Sequence, residues 1–159
     1  MNKNVLIGSL TGLVLGAVLA LAIVWNQAPN LMMTVDESPY DFEGTVAAFE
    51  QAAADAGWSI LEARDMQAVV AKHGADVLPV TNFDLCSSEH SIRILEQDDE
   101  RIVAPMMPCR VSVYETSDGT VHIARMNSGL VAQTFGGLIS DVMSTASQET
   151  EAFIANVLN

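Results

Sequence analysis

CRVSVYETSDGTVHIARM, residues 109–126, reads as two strands and the turn between them. Val111 and Val113 alternate with Arg110, Ser112 and Tyr114, the period-two pattern of a strand with one buried face. Val121 and Ile123 resume that alternation, with His122 on the opposite face. Between the two runs, Asp118-Gly119 supplies hairpin chemistry, because glycine accepts a positive φ at no steric cost. Cys109–Glu115 and Val121–Met126 are therefore predicted to pair antiparallel.

Working upstream, Pro79 introduces VTNFDLC, in which Thr81, Phe83 and Leu85 face one way and Asn82, Asp84 and Cys86 the other. Ser87 or Ser88 caps a helix over Glu89–Gln97, with Ile92 and Leu95 inward, and Asp98-Asp99-Glu100 reads as a solvated bend. Before these lie a strand over Leu31–Glu37, ended by Ser38-Pro39, and a helix carrying Phe42, Val46, Phe49 and Ala53. That helix has Asp41 and Glu43 near its positive end and Gly57 as its stop. Trp58–Ala63 is a further strand, and Met66–His73 a short helix closed by Gly74. One of Met32 and Met33 is expected to fill the core.

Downstream, Ser128 to the end is helical and broken at Gly136-Gly137, with Ile139, Val142, Met143, Ala146, Phe153 and Val157 on the buried face. The expected core adds Trp58, Ile60, Phe83, Val111, Val113 and Ile123. Strands joined by tight turns between helices imply an α+β domain, an antiparallel sheet with helices on one face.

The first segment differs in kind. Val5–Trp25 is uncharged throughout, and as a helix it is about 31 Å long, close to the thickness of a bilayer's hydrocarbon core. The expected organisation is a cytoplasmic N-terminus (1–4), a transmembrane anchor (5–25), a linker (26–30) containing Pro29, and a water-soluble domain (31–159). Lys3 before the run, with Asp36 and Glu37 well after it, directs the N-terminus to the cytoplasm. That predicts a single-pass protein of a bacterial inner membrane with its domain in the periplasm. Ala20-Leu21-Ala22 also has the form of a signal-peptidase site, but the length of the run and the interfacial residue Trp25 favour a retained signal-anchor. Gly8, Gly12, Gly16 and Ala20 recur every four residues along one helix face, which suits close packing against a second copy or a larger membrane complex.

Net charge narrows the partners. The chain carries seven Lys or Arg against twenty Asp or Glu, and Lys3 is the only charged residue before Asp36. A domain this acidic repels phosphate backbones, so nucleic acid is not expected as a partner.

The runs TVAAFEQAAADAGWSI, PVTNFDLC and MPCRVSVYETSDG, followed by the glycine-broken C-terminal helix, resemble the domain-of-unknown-function family 302 over about Met32–Val157. The resemblance implies a compact domain of the TATA-binding-protein-like type, often a homodimer, with the membrane segment as an addition. It brings no catalytic residues, and the fold it implies does not fix a function.

Chemistry concentrates in Cys86, His90, Met106, Met107 and Cys109. Cys86 ends a strand where a helix opens, a setting that favours a thiolate, and His90 follows four residues later. Met106-Met107-Pro108 leads directly to Cys109. Three readings stay open: a Cys86–Cys109 disulfide, two buried free thiols, or a soft-metal or haem site of thiolate, thioether and imidazole; a redox-active pair is a fourth. No cofactor is the first expectation, with copper or haem as alternatives. His73 reads as a helix-end cation and His122 as a half-exposed sheet residue. No nucleophile elbow, phosphate loop, dinucleotide fingerprint or HExxH occurs, so binding is preferred over catalysis. The expected function is a membrane-anchored extracytoplasmic binding or accessory domain. A periplasmic soft-metal, haem or thiol-redox protein is the alternative, and an enzyme on a small metabolite stands third.

Overall fold

The computed structural model describes residues 3–159; within its first helix the side chains of residues 3–11, Val14 and Pro29 are not described. The chain divides into two units, Met1–Met32 and Met33–Asn159.

In the first unit, α1 runs unbroken over Lys3–Met32. It includes residues 26–30, which the sequence reads as a linker. Proline removes one N–H from a helix, and here Pro29 does not end it; the chain turns to strand only at Met33. Leu13, Leu15, Leu19 and Trp25 are exposed on α1. Among the described residues no helix is long and apolar enough to cross a membrane. The apolar run begins at Val5, so part of it falls among the side chains left undescribed.

The second unit contains β1 (Met33–Glu37), α2 (Phe42–Asp55), β2 (Ser59–Asp65), α3 (Met66–Ala71), β3 (Val80–Cys86) and α4 (Ser88–Leu95). A 3₁₀ helix, Asp98–Met106, leads to β4 (Cys109–Glu115), β5 (Val121–Met126), α5 (Ser128–Ala132) and α6 (Gly137–Leu158). The strands form one sheet in the order β1-β5-β4-β3-β2, with every neighbouring pair antiparallel. The α+β class expected from the sequence is the one observed.

The hairpin sits at the middle of this sheet, with Val113 opposite Ile123 and Tyr114 opposite His122. Its turn is held by Asp118, whose carboxylate accepts the Thr116 hydroxyl at 2.7 Å and the Thr120 N–H at 3.1 Å. Those bonds, the Thr116 hydroxyl first, lower the Asp118 pKa to about 2. Gly119 takes φ +83°, the conformation that makes glycine the natural residue there.

Alternation sends Phe83, Leu85, Val111, Val113, Val121 and Ile123 to one face, where Phe49 and Ala53 of α2 and Phe153, Ile154 and Val157 of α6 complete the core. Asp41 caps α2 by accepting the Gly44 N–H at 2.8 Å. The expected helix break is present: Gly136 and Gly137 have φ of +69° and +54°, separating α5 from α6. All six residues expected on the buried face of the last helix are buried there.

Several local readings are corrected. β1 starts at Met33 instead of Leu31, and Met32 and Met33 are both exposed, so neither fills the core. Trp58 is buried but lies just before β2, which extends to Asp65 with an irregularity at Leu61, between Ile60 and Glu62. In α4 the inward residues are His90 and Ile94, while Ile92 and Leu95 are exposed. The acidic run at Asp98 opens the 3₁₀ helix, which buries Val103.

On the sheet's other face, Arg110 donates to Asp84 at 2.8 and 3.3 Å. These bonds hold the Asp84 carboxyl below its ordinary value, against the opposing effect of desolvation. A lowered folded pKa means the pair stabilises above the unfolded value of about 4 and loses that contribution as pH falls through the folded one. Because Arg110 is largely exposed, Asp84→Asn is expected to cost about 0.2–1 kcal/mol at neutral pH. Urea unfolding of both proteins at pH 7 and pH 3 checks this: the gap should shrink on acidification, and a gap that widens would refute the ion-pair account.

Candidate functional site

Three segments converge below the β3–β4 end of the sheet. β3 ends at Cys86 and passes into α4, which aims His90 inward; the 3₁₀ helix delivers Met106 and Met107; and β4 begins at Cys109. Leu85 lies opposite Cys109 in register. The first half of α6 adds Met143, buried beside Met106 and Met107.

His90 is 8 % exposed. Its Nε2 lies 2.9 Å from Glu149 Oε2, and the same oxygen accepts the Trp58 indole N–H at 3.2 Å. A carboxylate only accepts, so Nε2 carries a hydrogen, and a ring without a second proton then has its lone pair on Nδ1. Nδ1 is buried and has no hydrogen-bond partner among the described residues. Native interiors satisfy nearly all buried polar atoms, so an orphan of this kind calls for an explanation. Trp58 also packs beside the imidazole, with ring centroids 6.0 Å apart.

A cavity of about 40 Å³ lies against this ring, lined by His90, Trp58, Met106, Met107, Cys109 and Met143. Its oxygen-bearing side chains are serines, Ser87, Ser91 and Ser128. Burial pushes the Cys109 thiol up from its ordinary value, and the nearby Cys86 adds to the shift. A second cavity of about 250 Å³ shares Met106, Met107, Cys109 and Met143 and extends to Arg125 and Glu151. The three methionines and Cys109 thus line both spaces.

Four of the five residues singled out from the sequence therefore line one cavity. Cys86 does not. With Leu85 opposite Cys109, Cys86 falls on the alternate parity of its strand, and its thiol lies 3.3 Å from the Ser91 hydroxyl. Both cysteines are free. Among the described residues, no group of three or more His, Cys, Asp and Glu side chains is placed to hold a metal ion. Trp58, Met143 and Glu149 are site residues that sequence reasoning did not assign; the first two were read as core, and Glu149 gave no signal.

Arg125 is the other buried ionic feature. It is 5 % exposed on the core face of β5, and it donates through Nε to Glu151 at 2.8 Å, through Nη2 to the same carboxylate and through Nη1 to Asp36. Desolvation opposes its charge, but the bonds to Glu151 and Asp36 outweigh it and keep the guanidinium firmly protonated.

On α1, a Cβ added at Gly12 or Gly16 would meet nothing within 4 Å, and Ala20 is exposed. The surroundings of Gly8 lie outside the described residues.

No curated protein matches the chain. An uncharacterized conserved protein DUF302 from Bacillus stearothermophilus shares its fold, with a TM-score of 0.71 at 15 % identity, covering 80 % of this chain and 98 % of that one. The family described as Domain of unknown function DUF302 matches residues 34–159. Nearly the whole second unit is thus accounted for, and the chain belongs to the DUF302 family.

Proposed function

We propose that this protein is a membrane-tethered, extracytoplasmic binding domain whose ligand is received in the cavity beside His90. The orphan Nδ1 carries the reading: it is a buried ring nitrogen without a hydrogen-bond partner among the described residues, in a side chain that lines the cavity. At about 40 Å³, the space beside His90 suits an ion or a small group.

The tether is supported by the uncharged run Val5–Trp25, helical in α1, and by the position of Lys3 ahead of it. The small-residue face at Gly12, Gly16 and Ala20 suits a second helix, from another copy or a larger complex. Acidic character keeps the domain from nucleic acid and anionic headgroups and draws cations toward it.

Alkaline carbonate extraction and protease treatment of spheroplasts test the tether and its sidedness together. The protein should stay with the membrane pellet, and added protease should destroy the Met33–Asn159 unit in intact spheroplasts. Release into the carbonate supernatant removes the anchor, and survival of the unit removes the extracytoplasmic placement.

A further inference from the structure

We infer that the His90 cavity is a Cu(I) site, with Cys109, His90 through Nδ1, and one or more of Met106, Met107 and Met143 as its donors. This assignment rests on the binding reading above and supplies its ligand class.

The donor set selects the ion. Thiolate and thioether are soft, polarizable ligands that favour Cu(I), whereas Mg²⁺, Ca²⁺ and Mn²⁺ require carboxylate, carbonyl or water oxygens. Carboxylates are absent from the cavity's lining; Glu149 meets the imidazole at Nε2. Structural zinc takes four ligands from Cys, His and carboxylates. Here one cysteine and one histidine line the cavity, and the remaining soft donors are thioethers.

The histidine is arranged as a ligand needs to be. A metal-bound imidazole ordinarily donates its other N–H to a carboxylate, which fixes the tautomer and directs the free lone pair at the metal. The Nε2–H to Glu149 contact at 2.9 Å supplies that carboxylate partner, and the indole of Trp58 holds the same carboxylate oxygen in place. A buried orphan nitrogen, otherwise a cost to folding, is then satisfied by the ion.

Charge also balances. Cu⁺ enters, the Cys109 thiol gives up its proton to water, and a Cu–S bond replaces S–H. The site's net charge and the copper's oxidation state are both unchanged. A low-polarity cavity accepts such a neutral exchange far more readily than the uncompensated charge of a divalent ion. Cys86, on the other strand parity, is outside the donor set.

The test is anaerobic competition between full-length protein in detergent and a chromogenic Cu(I) chelator. Wild type should withdraw one copper per chain. Cys109→Ser should weaken binding on the order of 100-fold, since it replaces the soft anionic donor. Glu149→Gln, which touches no metal, should weaken it by roughly 10-fold or more through the imidazole. Met106→Leu combined with Met107→Leu and Met143→Leu conserves volume, preserves the fold by circular dichroism, and should also lower affinity. Cys86→Ser should bind as wild type does. The assignment is overturned if wild type leaves copper with the chelator, if the triple leucine variant binds unchanged, or if Zn²⁺ competes on equal terms. No copper uptake by a protein whose domain is still cleaved in spheroplasts sinks the copper site alone; a protease-protected domain sinks the extracytoplasmic reading whatever the copper result.

Discussion

Phe49→Ala is expected to lower the unfolding free energy of the Met33–Asn159 unit by about 3–5 kcal/mol. Phe49 has no exposed surface and joins α2 to both the sheet and α6. Its ring centroid lies 4.8 Å from Phe83 and 5.8 Å from Phe153. Deleting it removes the burial of one large side chain and the two aromatic contacts, and leaves a hole that close-packed neighbours fill only in part. Domain stabilities of about 5–15 kcal/mol make this a large share of the total, so the thermal midpoint should fall by roughly 10–20 °C. Phe135→Ala is the control, because Phe135 is 45 % exposed and should shift the midpoint little. Equal midpoints for the two variants would show that the core has been misplaced.

The second large effect concerns Arg125, and its sign depends on which partner is removed. Asp36 and Glu151 keep side-chain exposures of 38 % and 44 %, against 6 % for Arg125. Neutralising both carboxylates, as Asp36→Asn with Glu151→Gln, strands a buried guanidinium that cannot shed its proton. A loss of about 3–5 kcal/mol is expected. Arg125→Leu removes the buried charge itself and leaves two carboxylates that water can reach. It should cost less than the double variant, since apolar replacement of a buried ion is often close to neutral. Urea unfolding of the three proteins decides the matter: Arg125→Leu proving the more damaging would mean that the guanidinium stem, packed as an apolar side chain, matters more than its charge.

How far the sequence reveals this depends on whether a signal is local. The alternation at Val111, Val113, Val121 and Ile123 is complete within each strand, and the glycine pair at 136–137 can adopt the positive φ it takes. Both were readable. The phase of α4 was not. SEHSIRIL offers Ile92, Ile94 and Leu95 to the core, and eight residues are too few for periodicity to choose among them. His90 and Ile94, four apart, face inward together. The imidazole's place there is secured by Glu149 and Trp58, which are remote from it in the chain.

Arg125 shows the opposite case. It shares the parity of Val121 and Ile123, so alternation alone sends it inward; its charge argued for solvent, and the carboxylates that reconcile the two come from β1 and α6. The sulfur-rich cluster was legible as composition, because Met106, Met107 and Cys109 are nearly adjacent. Cys86 was grouped with them despite facing the way of Asn82 and Asp84, and the Leu85–Cys109 register separates it from the others.

The strand order has a consequence for how the chain is made. β1 leaves the ribosome before any other strand, yet its hydrogen-bonding partner is β5, with Met33 aligned to Met126. Until Val121–Met126 emerges, β1 has nothing to zip onto, and the core-facing guanidinium that its Asp36 meets has not yet been synthesised. Closing so long a stretch adds little to the equilibrium cost but slows assembly, because distant contacts must form before they are rewarded. Nascent chains halted before Val121 should therefore stay protease-sensitive throughout Met33–Glu37, with the earliest strand the last to be stitched in.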